Sequence, residues 1–128
     1  MKALNKITAL MIFLIIAYSC TKEVDNLKEL DNVTAPSNIS ATFDITQDNT
    51  GLVTIIPTGT GVTEYLVEFG DTAGEIPSEY AVNETIKHNY SEGSYEVKIT
   101  GVGLSGLTST FSQQITVTFI APENLVVT

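Results

Sequence analysis

The side chains best suited to acid–base chemistry in this chain are a single histidine and the acids near it. His88 is the only histidine, and an imidazole titrates close to neutral pH, as a general base must. In TIKHNY, however, His88 shares alternate positions with Ile86 and Tyr90, so we expect it to be packed and hydrogen-bonded. No serine, cysteine or second histidine has the spacing of a catalytic triad. The sequence therefore predicts no catalytic residue and no enzyme.

Acidic side chains are the second group that could do chemistry. Glu68, Asp71 and Glu75 surround one predicted loop, and calcium prefers about six to eight oxygen ligands of this kind. The segment DITQDNTG offers Asp44, Asp48 and Asn49 but lacks the spacing of an EF-hand. We therefore expect a solvated acidic loop, with no metal site and no cofactor. The alternative is a calcium site in this loop.

Recognition of a glycan would need aromatic faces at the surface with polar neighbours. The sequence contains no tryptophan, and predicted strand cores take up most of the tyrosines and phenylalanines. Tyr80, beside Glu79 and Asn83 on a predicted edge segment, is the best candidate for an exposed ring. These three residues form the predicted ligand-binding site, for a polysaccharide or a protein partner.

One cysteine stands at the end of an apolar N-terminal segment. Cys20 has no partner for a disulfide within the chain. Before it, MKALNKITALMIFLIIAYS places two lysines ahead of an apolar run too short to span a bilayer comfortably. LIIAYSC resembles the lipobox of bacterial lipoproteins, which implies a signal peptide at residues 1–19 and a membrane anchor on the lipidated Cys20. The alternatives are a free thiol or an uncleaved membrane anchor.

Residues 20–35 are polar, acidic and free of glycine. We expect a tether here, which would reach roughly 50 Å when fully extended. Its early acids, Glu23 and Asp25 beside Lys22, resemble the export signal that Bacteroidetes-type lipoproteins use to reach the outer face. The resemblance implies a lipid-anchored protein of the bacterial outer membrane, on its periplasmic or cell-surface side.

The composition excludes several classes of partner and of chain. The formal charge is −9, and loss of a leader containing Lys2 and Lys6 would make it more negative. Such a surface repels nucleic acid, which binds through clusters of lysine and arginine, and it offers no basic patch to anionic lipid. With 43% hydrophobic and 16% charged residues, the chain is not generically disordered. Its length suits one domain with a real core.

From Pro36 onward the hydrophobic pattern has period two. In SYEVKIT, Tyr95, Val97 and Ile99 alternate with polar residues, and TIKHNY and EYLVEF repeat the pattern. In SQQITVTF the same alternation predicts a buried Phe119, whereas GLVTIIP is apolar on both faces, as in a central strand. Turn segments such as QDNTG, TGTG and GVGLSG separate the runs. The pattern predicts six or seven short strands in an all-β antiparallel sandwich.

Two segments, VEFGDT and HNYSEGSYEVKI, carry a family resemblance. They resemble the PKD (polycystic kidney disease) domain, an immunoglobulin-like sandwich whose pattern runs W-x-F-G-D-G, then H-x-Y, then G-x-Y-x-V. The resemblance extends over residues 36–120. Val67 replaces the usual tryptophan and Thr72 the second glycine, so we expect a less aromatic core and a turn less free to adopt positive φ. The matched residues are Phe69, Gly70, Asp71, His88, Tyr90, Gly93, Tyr95 and Val97.

Three of these residues have structural roles that physical chemistry predicts without the family. Gly93 can supply a tight turn. Tyr95, two residues later, can bury its ring while its hydroxyl bonds back to the turn, as in a tyrosine corner. Asp71 is expected to accept backbone N–H bonds within its own loop.

The last residues of the chain, APENLVVT, nearly copy APSNISAT at residues 35–42. The two copies are separated by about the length of one small β-domain, so residues 121–128 are predicted to be the first strand of a second, truncated module. Together these features predict a lipid-anchored cell-surface module, a spacer or recognition domain in a glycan-binding or glycan-uptake lipoprotein. Two alternatives stay open: the accessory region of a secreted glycoside hydrolase or protease, and an adhesin with tandem modules.

Overall fold

The computed structural model describes residues 33–121, and these form seven β-strands. The predictions for the leader, for Cys20, for most of the tether and for a second module fall on residues 1–32 and 122–128, outside the described part. Among the described residues no helix has the length and hydropathy to cross a membrane. The strands are β1 (Ser37–Ile45), β2 (Leu52–Thr60), β3 (Glu64–Glu68), β4 (Ser78–Ala81), β5 (Ile86–Asn89), β6 (Gly93–Val102) and β7 (Thr108–Val117).

The strands pair into two antiparallel sheets. The first sheet has the order β1-β2-β5, and the second has the order β4-β3-β6-β7. Strands that follow one another in the chain therefore change sheets between β2 and β3, between β4 and β5, and between β5 and β6. This two-sheet arrangement is an immunoglobulin-like β-sandwich, and it confirms the predicted fold class.

Alternation along each strand places one row of side chains between the sheets. Val67 of β3 pairs with Ile99 of β6. These two residues, together with Tyr65 and Val97 on the same inner face, are almost fully buried. Removing such rows from water is the main source of stability in a domain of this size. The complete buried core comprises Val53, Ile55, Tyr65, Val67, Phe69, Ile86, Tyr90, Val97, Ile99, Ile115 and Val117.

One prediction of burial is wrong. Phe119 was expected to point inward, but β7 ends at Val117 and Phe119 is 38% exposed. Its backbone N–H bonds to the Glu92 carboxylate, 3.1 Å away, instead of continuing the ladder with β6. GLVTIIP forms most of β2, which is the central strand of the first sheet as predicted, but Ile56 on its outer face is 46% exposed. The first sheet has a solvated outer face, as antiparallel sheets often do.

The chain enters and leaves the sandwich at opposite ends. Pro36 precedes β1, and its carbonyl accepts a hydrogen bond from Ser109 Oγ, at the start of β7. From there β1 runs nine residues to the loop at residues 46–51, where Asn49 binds the backbone of Ile120. At about 3.3 Å per residue, β1 separates the two ends by roughly 30 Å. We call the end at Pro36 the proximal end and the end at Ile120 the distal end.

Candidate functional site

The residues of the PKD-like motif meet at the distal end. Phe69 and Asp71 follow β3 of the second sheet, whereas His88 lies in β5 of the first sheet and Tyr90 follows it. Both segments run toward the distal end, so the two sheets bring these four residues together across the core. We call Phe69, Asp71, His88 and Tyr90 the motif cluster.

His88 is held on several sides. Its ring stacks on Phe69 with the ring centroids 3.9 Å apart and the planes at 6°, and it meets the edge of Tyr90 at 4.6 Å. Its Nε2 lies 2.7 Å from Asp71 Oδ2, and its side chain is 26% exposed. The imidazole is therefore packed and hydrogen-bonded, as the alternation in TIKHNY predicts.

Tyr90 makes a second polar contact between the sheets. Its hydroxyl donates to the carbonyl of Phe69 at 3.0 Å, and the residue is 3% exposed. Burial raises the pKa of Tyr90 above its usual value of 10.0, and the negative charge of Asp71 adds to the shift. The phenol therefore stays neutral, and remains a donor, well into the alkaline range.

The loop between β3 and β4 is closed by Glu75. Its carboxylate accepts the backbone N–H groups of Phe69 and Gly70, each at 2.9 Å. The sequence predicted this role for Asp71, but the Asp71 carboxylate bonds to His88 instead. Asp71 and Glu75 both belong to this loop. Because Asp71 bonds to His88 across the core, Glu75 is the acid that accepts the backbone N–H groups.

Glycine is required at one position of this loop. Gly70 has φ = 77°, and a Cβ placed on it would lie 2.3 Å from the carbonyl oxygen of Glu96. Thr72, which replaces the second glycine of the family pattern, is not among the residues with positive φ. The replacement therefore introduces no backbone strain.

Tyr95 forms the corner that its spacing from Gly93 suggests. Its hydroxyl donates to the carbonyl of Ser91 at 3.0 Å, and its ring packs on Tyr90 with the centroids 4.6 Å apart. A Cβ on Gly93 would come within 3.2 Å of this hydroxyl. Val97, the last matched residue, lies in β6 with Tyr95 and is fully buried.

The three acids of this loop that could have bound calcium, Glu68, Asp71 and Glu75, have separate partners. Glu68 pairs with Lys98 Nζ at 2.5 Å, Asp71 bonds to His88, and Glu75 binds backbone N–H groups. Within residues 33–121, no three side chains of histidine, cysteine, aspartate or glutamate converge as a metal site would require. The acidic loop is thus organised by hydrogen bonds and ion pairs of the protein itself.

The other acidic segment, between β1 and β2, is also closed on itself. Asp48 Oδ1 accepts hydrogen bonds from the hydroxyls of Thr50 and Thr46 and from the backbone N–H of Thr50. These bonds, led by the one from the Thr50 hydroxyl, lower the pKa of Asp48. The carboxylate therefore stabilises a turn.

Tyr80 is less exposed than predicted. It lies on β4, an edge strand as expected, but it pairs with Tyr65 and shares the inner face of the sheet. Its ring meets Phe69 edge-on, with the centroids 6.4 Å apart. Asn83 lies in the following turn with φ = 69°. A shallow cavity of about 290 Å³ on this edge is lined by Thr63, Glu64, Glu79, Tyr80 and Ala81.

No protein-family model matches the sequence, and no curated protein is significantly similar to it. Among solved structures, the chain is similar to the crystal structure of the PKD1 domain of Vibrio anguillarum Epp. The TM-score is 0.49 and the identity is 20%, and the match covers 68% of this chain and 98% of that one.

A contact at the distal end escaped the sequence patterns. Asn49, with φ = 63°, uses its side-chain amide to pair with the backbone of Ile120. Nδ2 donates to the carbonyl at 2.8 Å, and Oδ1 accepts the N–H at 2.6 Å. With the Glu92 carboxylate on the N–H of Phe119, this pair fixes the path of the chain as it leaves the sandwich. We call Asn49 and Glu92 the exit clamp.

Proposed function

We propose that the protein is a lipid-anchored bacterial surface lipoprotein whose PKD-like sandwich is a spacer or recognition module for handling glycans. The separation of the proximal and distal ends carries the proposal. A module that the chain enters at one end and leaves at the other holds its two neighbours roughly 30 Å apart. A spacer needs this geometry.

Rigidity at the distal end supports the spacer role. The His88–Asp71 and Tyr90–Phe69 hydrogen bonds each join the end of β5 in the first sheet to the segment that follows β3 of the second. The exit clamp then fixes Phe119 and Ile120 against the loops of that end. Together these contacts hold the departing chain in one direction, so that a following segment would be presented at a defined angle.

The sequence supports membrane attachment and location. LIIAYSC resembles a lipobox, and lipidation of Cys20 with more than one acyl chain would anchor the protein stably. The acids that follow it resemble the signal of exported outer-membrane lipoproteins. The near-repeat of APSNISAT as APENLVVT favours a second role, that of a tandem-module adhesin, in which the same geometry would set the spacing between modules.

The anchor is tested by expressing the full chain in a Gram-negative bacterium alongside Cys20→Ser. Wild-type protein should be found in the outer-membrane fraction, and mass spectrometry should find its N-terminal cysteine acylated. The Cys20→Ser protein should lose both properties. Recovery of unmodified wild-type protein in the soluble fraction would exclude a lipoprotein.

Glycan recognition is tested by calorimetric titration against a panel of polysaccharides. The cavity on β4 is the expected site, so Glu79→Ala should weaken binding while leaving the half-buried Tyr80 packed. Glu96→Ala, an exposed acid on β6, is the matched control and should bind like wild type. If no polysaccharide of the panel gives a heat of binding with the wild-type protein, direct glycan recognition by this module is excluded. The spacer role would be unaffected.

A further inference from the structure

Two side chains near the start of β1 fit closely against glycines at the proximal end. Pro36 is buried, and a Cβ on Gly103 would lie 3.1 Å from its Cδ. Ile39 is fitted in the same way, because Cβ atoms on Gly59 and Gly101 would lie 2.7 Å and 2.6 Å from its Cδ1. Real Cβ atoms do not approach so closely, so the three glycines leave the room that these two side chains occupy.

The near-repeat APENLVVT keeps the residues that are fitted in this way. Asn38, between the two fitted side chains, has φ = 54° and lies at the register shift near the start of β1. Pro122, Asn124 and Leu125 repeat the three residue types at the same spacing. The residues that change include both serines of APSNISAT, and these are exposed. The pattern favours entry of residues 121–128 into a second sandwich through the same contacts.

Only one residue separates the two points of attachment. The exit clamp holds the chain as far as Ile120, and Pro122 would take the place of Pro36 at the proximal end of the second sandwich. The residue between them is Ala121, so the two attachment points are about 7 Å apart at most. This distance is shorter than the roughly 10 Å between the two sheets of a sandwich. The proximal end of the second sandwich would therefore lie directly against the distal end of this one.

The distal end has apolar side chains that such a contact would cover. Ile76 is 85% exposed and Ile120 is 53% exposed, and Phe119 is exposed beside it. The carboxylates of Asp71 and Glu75, at the same end, already form hydrogen bonds within the module. A second sandwich can therefore cover apolar surface here without leaving these two carboxylates unpaired.

We propose that the distal end is one half of a stiff end-to-end interface, and that its partner is a second sandwich of the same kind that begins at residue 121. The proposal rests on the tandem-module role under the proposed function. Modules joined in this way keep a fixed angle, because the junction is too short to act as a hinge. Each added module would then lengthen the array by roughly 30 Å, the length of a strand such as β1.

The test measures the distance between two copies of the module. The test chain keeps residues 1–120 and continues with a second copy of residues 35–128, which preserves the Ile-Ala-Pro junction. It carries Cys20→Ser, and Lys87→Cys in each copy takes a nitroxide label, because Lys87 is exposed in β5. Pulsed electron paramagnetic resonance should find one narrow distribution of distances between the labels. Insertion of Gly-Ser-Gly-Ser before the alanine of the junction should broaden this distribution several-fold.

Substitutions of exposed residues separate the interface from the exit clamp. Ile76→Ser with Ile120→Ser in the first copy keeps the backbone bonds of the clamp and should broaden the distribution at least twofold. Ile56→Ser is the matched control, because Ile56 is exposed on the outer face of the first sheet, away from both ends, and it should leave the distribution narrow.

Two outcomes would overturn the proposal. An equally broad distribution with and without the Gly-Ser insertion would exclude a stiff junction. A narrow distribution that the double variant leaves unchanged would exclude the apolar interface. Neither outcome affects the proposed lipoprotein, because the test chain lacks Cys20 and acylation of that residue in the natural chain is measured separately.

Discussion

His88 lies in β5 of the first sheet and Tyr90 follows it, but their side chains make polar contacts with the segment that follows β3 of the second sheet. β5 is only four residues long and pairs with β2 alone. The backbone hydrogen bonds to β2 therefore hold this edge strand only weakly. The bonds to Asp71 and to the carbonyl of Phe69 attach it across the core as well. By stacking on Phe69 and bonding to the Asp71 carboxylate, the His88 side chain helps to hold the two sheets together.

The buried hydroxyl of Tyr90 makes a specific contribution to stability. Tyr90→Phe should reduce the free energy of unfolding by about 1–3 kcal/mol, because the carbonyl of Phe69 loses its donor in a buried setting. Urea unfolding measures the loss. The control is Tyr95→Phe, whose hydroxyl bonds to an exposed carbonyl that water can satisfy, so its cost should be smaller. Equal losses in the two variants would contradict this account.

Alkaline pH should weaken the fold through the same residue. The pKa of Tyr90 is raised in the folded protein, so above about pH 10 the unfolded chain ionises first and binds fewer protons than the folded one. The free energy of unfolding is therefore unaffected by this group below pH 10 and falls as the pH rises further. Burial also raises the pKa of Tyr65, so Tyr90→Phe should reduce the slope between pH 9 and pH 11 without abolishing it.

At the scale of elements, the loop between β3 and β4 depends on a single carboxylate. Glu75→Ala should lower the free energy of unfolding by about 1–3 kcal/mol, because the N–H groups of Phe69 and Gly70 lose their acceptor. Glu75→Gln retains one acceptor oxygen and should lose less. Glu79→Ala, an exposed acid on β4, should stay close to wild type in the same urea titration, and a Glu75→Ala protein as stable as that control would refute the role.

Strands with long, regular alternation were predictable from sequence, and short or irregular ones were not. The inner row of β6, with Val97 and Ile99, follows from period two alone. β4 has only four residues, too few for the pattern to show that Tyr80 faces inward. At the end of β7, alternation continues in the sequence to Phe119 after the ladder has stopped, because a side chain of another loop takes the backbone N–H.

Only part of the motif cluster was predictable from the sequence, for a similar reason. Spacing placed His88 and Tyr90 on one face, but it did not reveal which of Asp71 and Glu75 would reach the backbone N–H groups of the loop. That choice depends on His88, which comes from the other sheet. The pairing of Asn49 with Ile120 joins residues far apart in the chain, and such a contact leaves no local pattern to read.

At the scale of the whole molecule, the exit clamp determines how firmly the chain is held as it leaves. Asn49→Gly keeps the left-handed conformation but removes the amide that pairs with Ile120. The amide proton of Ile120 should then exchange several-fold faster, while that of Val97 in the core stays protected. Gln47→Ala, an exposed change in the same loop, is the control. Unchanged exchange at Ile120 in Asn49→Gly would show that the clamp does not hold the chain.

The opposite placement of the two ends also determines how the module would respond to tension. A pull on the chain at Pro36 acts along β1 in the first sheet, and a pull at Ile120 acts along β7 in the second. Because the ladder bonds of antiparallel strands lie across the strand axis, each strand would have to slide past its neighbour, which loads many bonds in shear at once. Because no hairpin is opened one hydrogen bond at a time, we expect the sandwich to resist unfolding when it is pulled from its two ends.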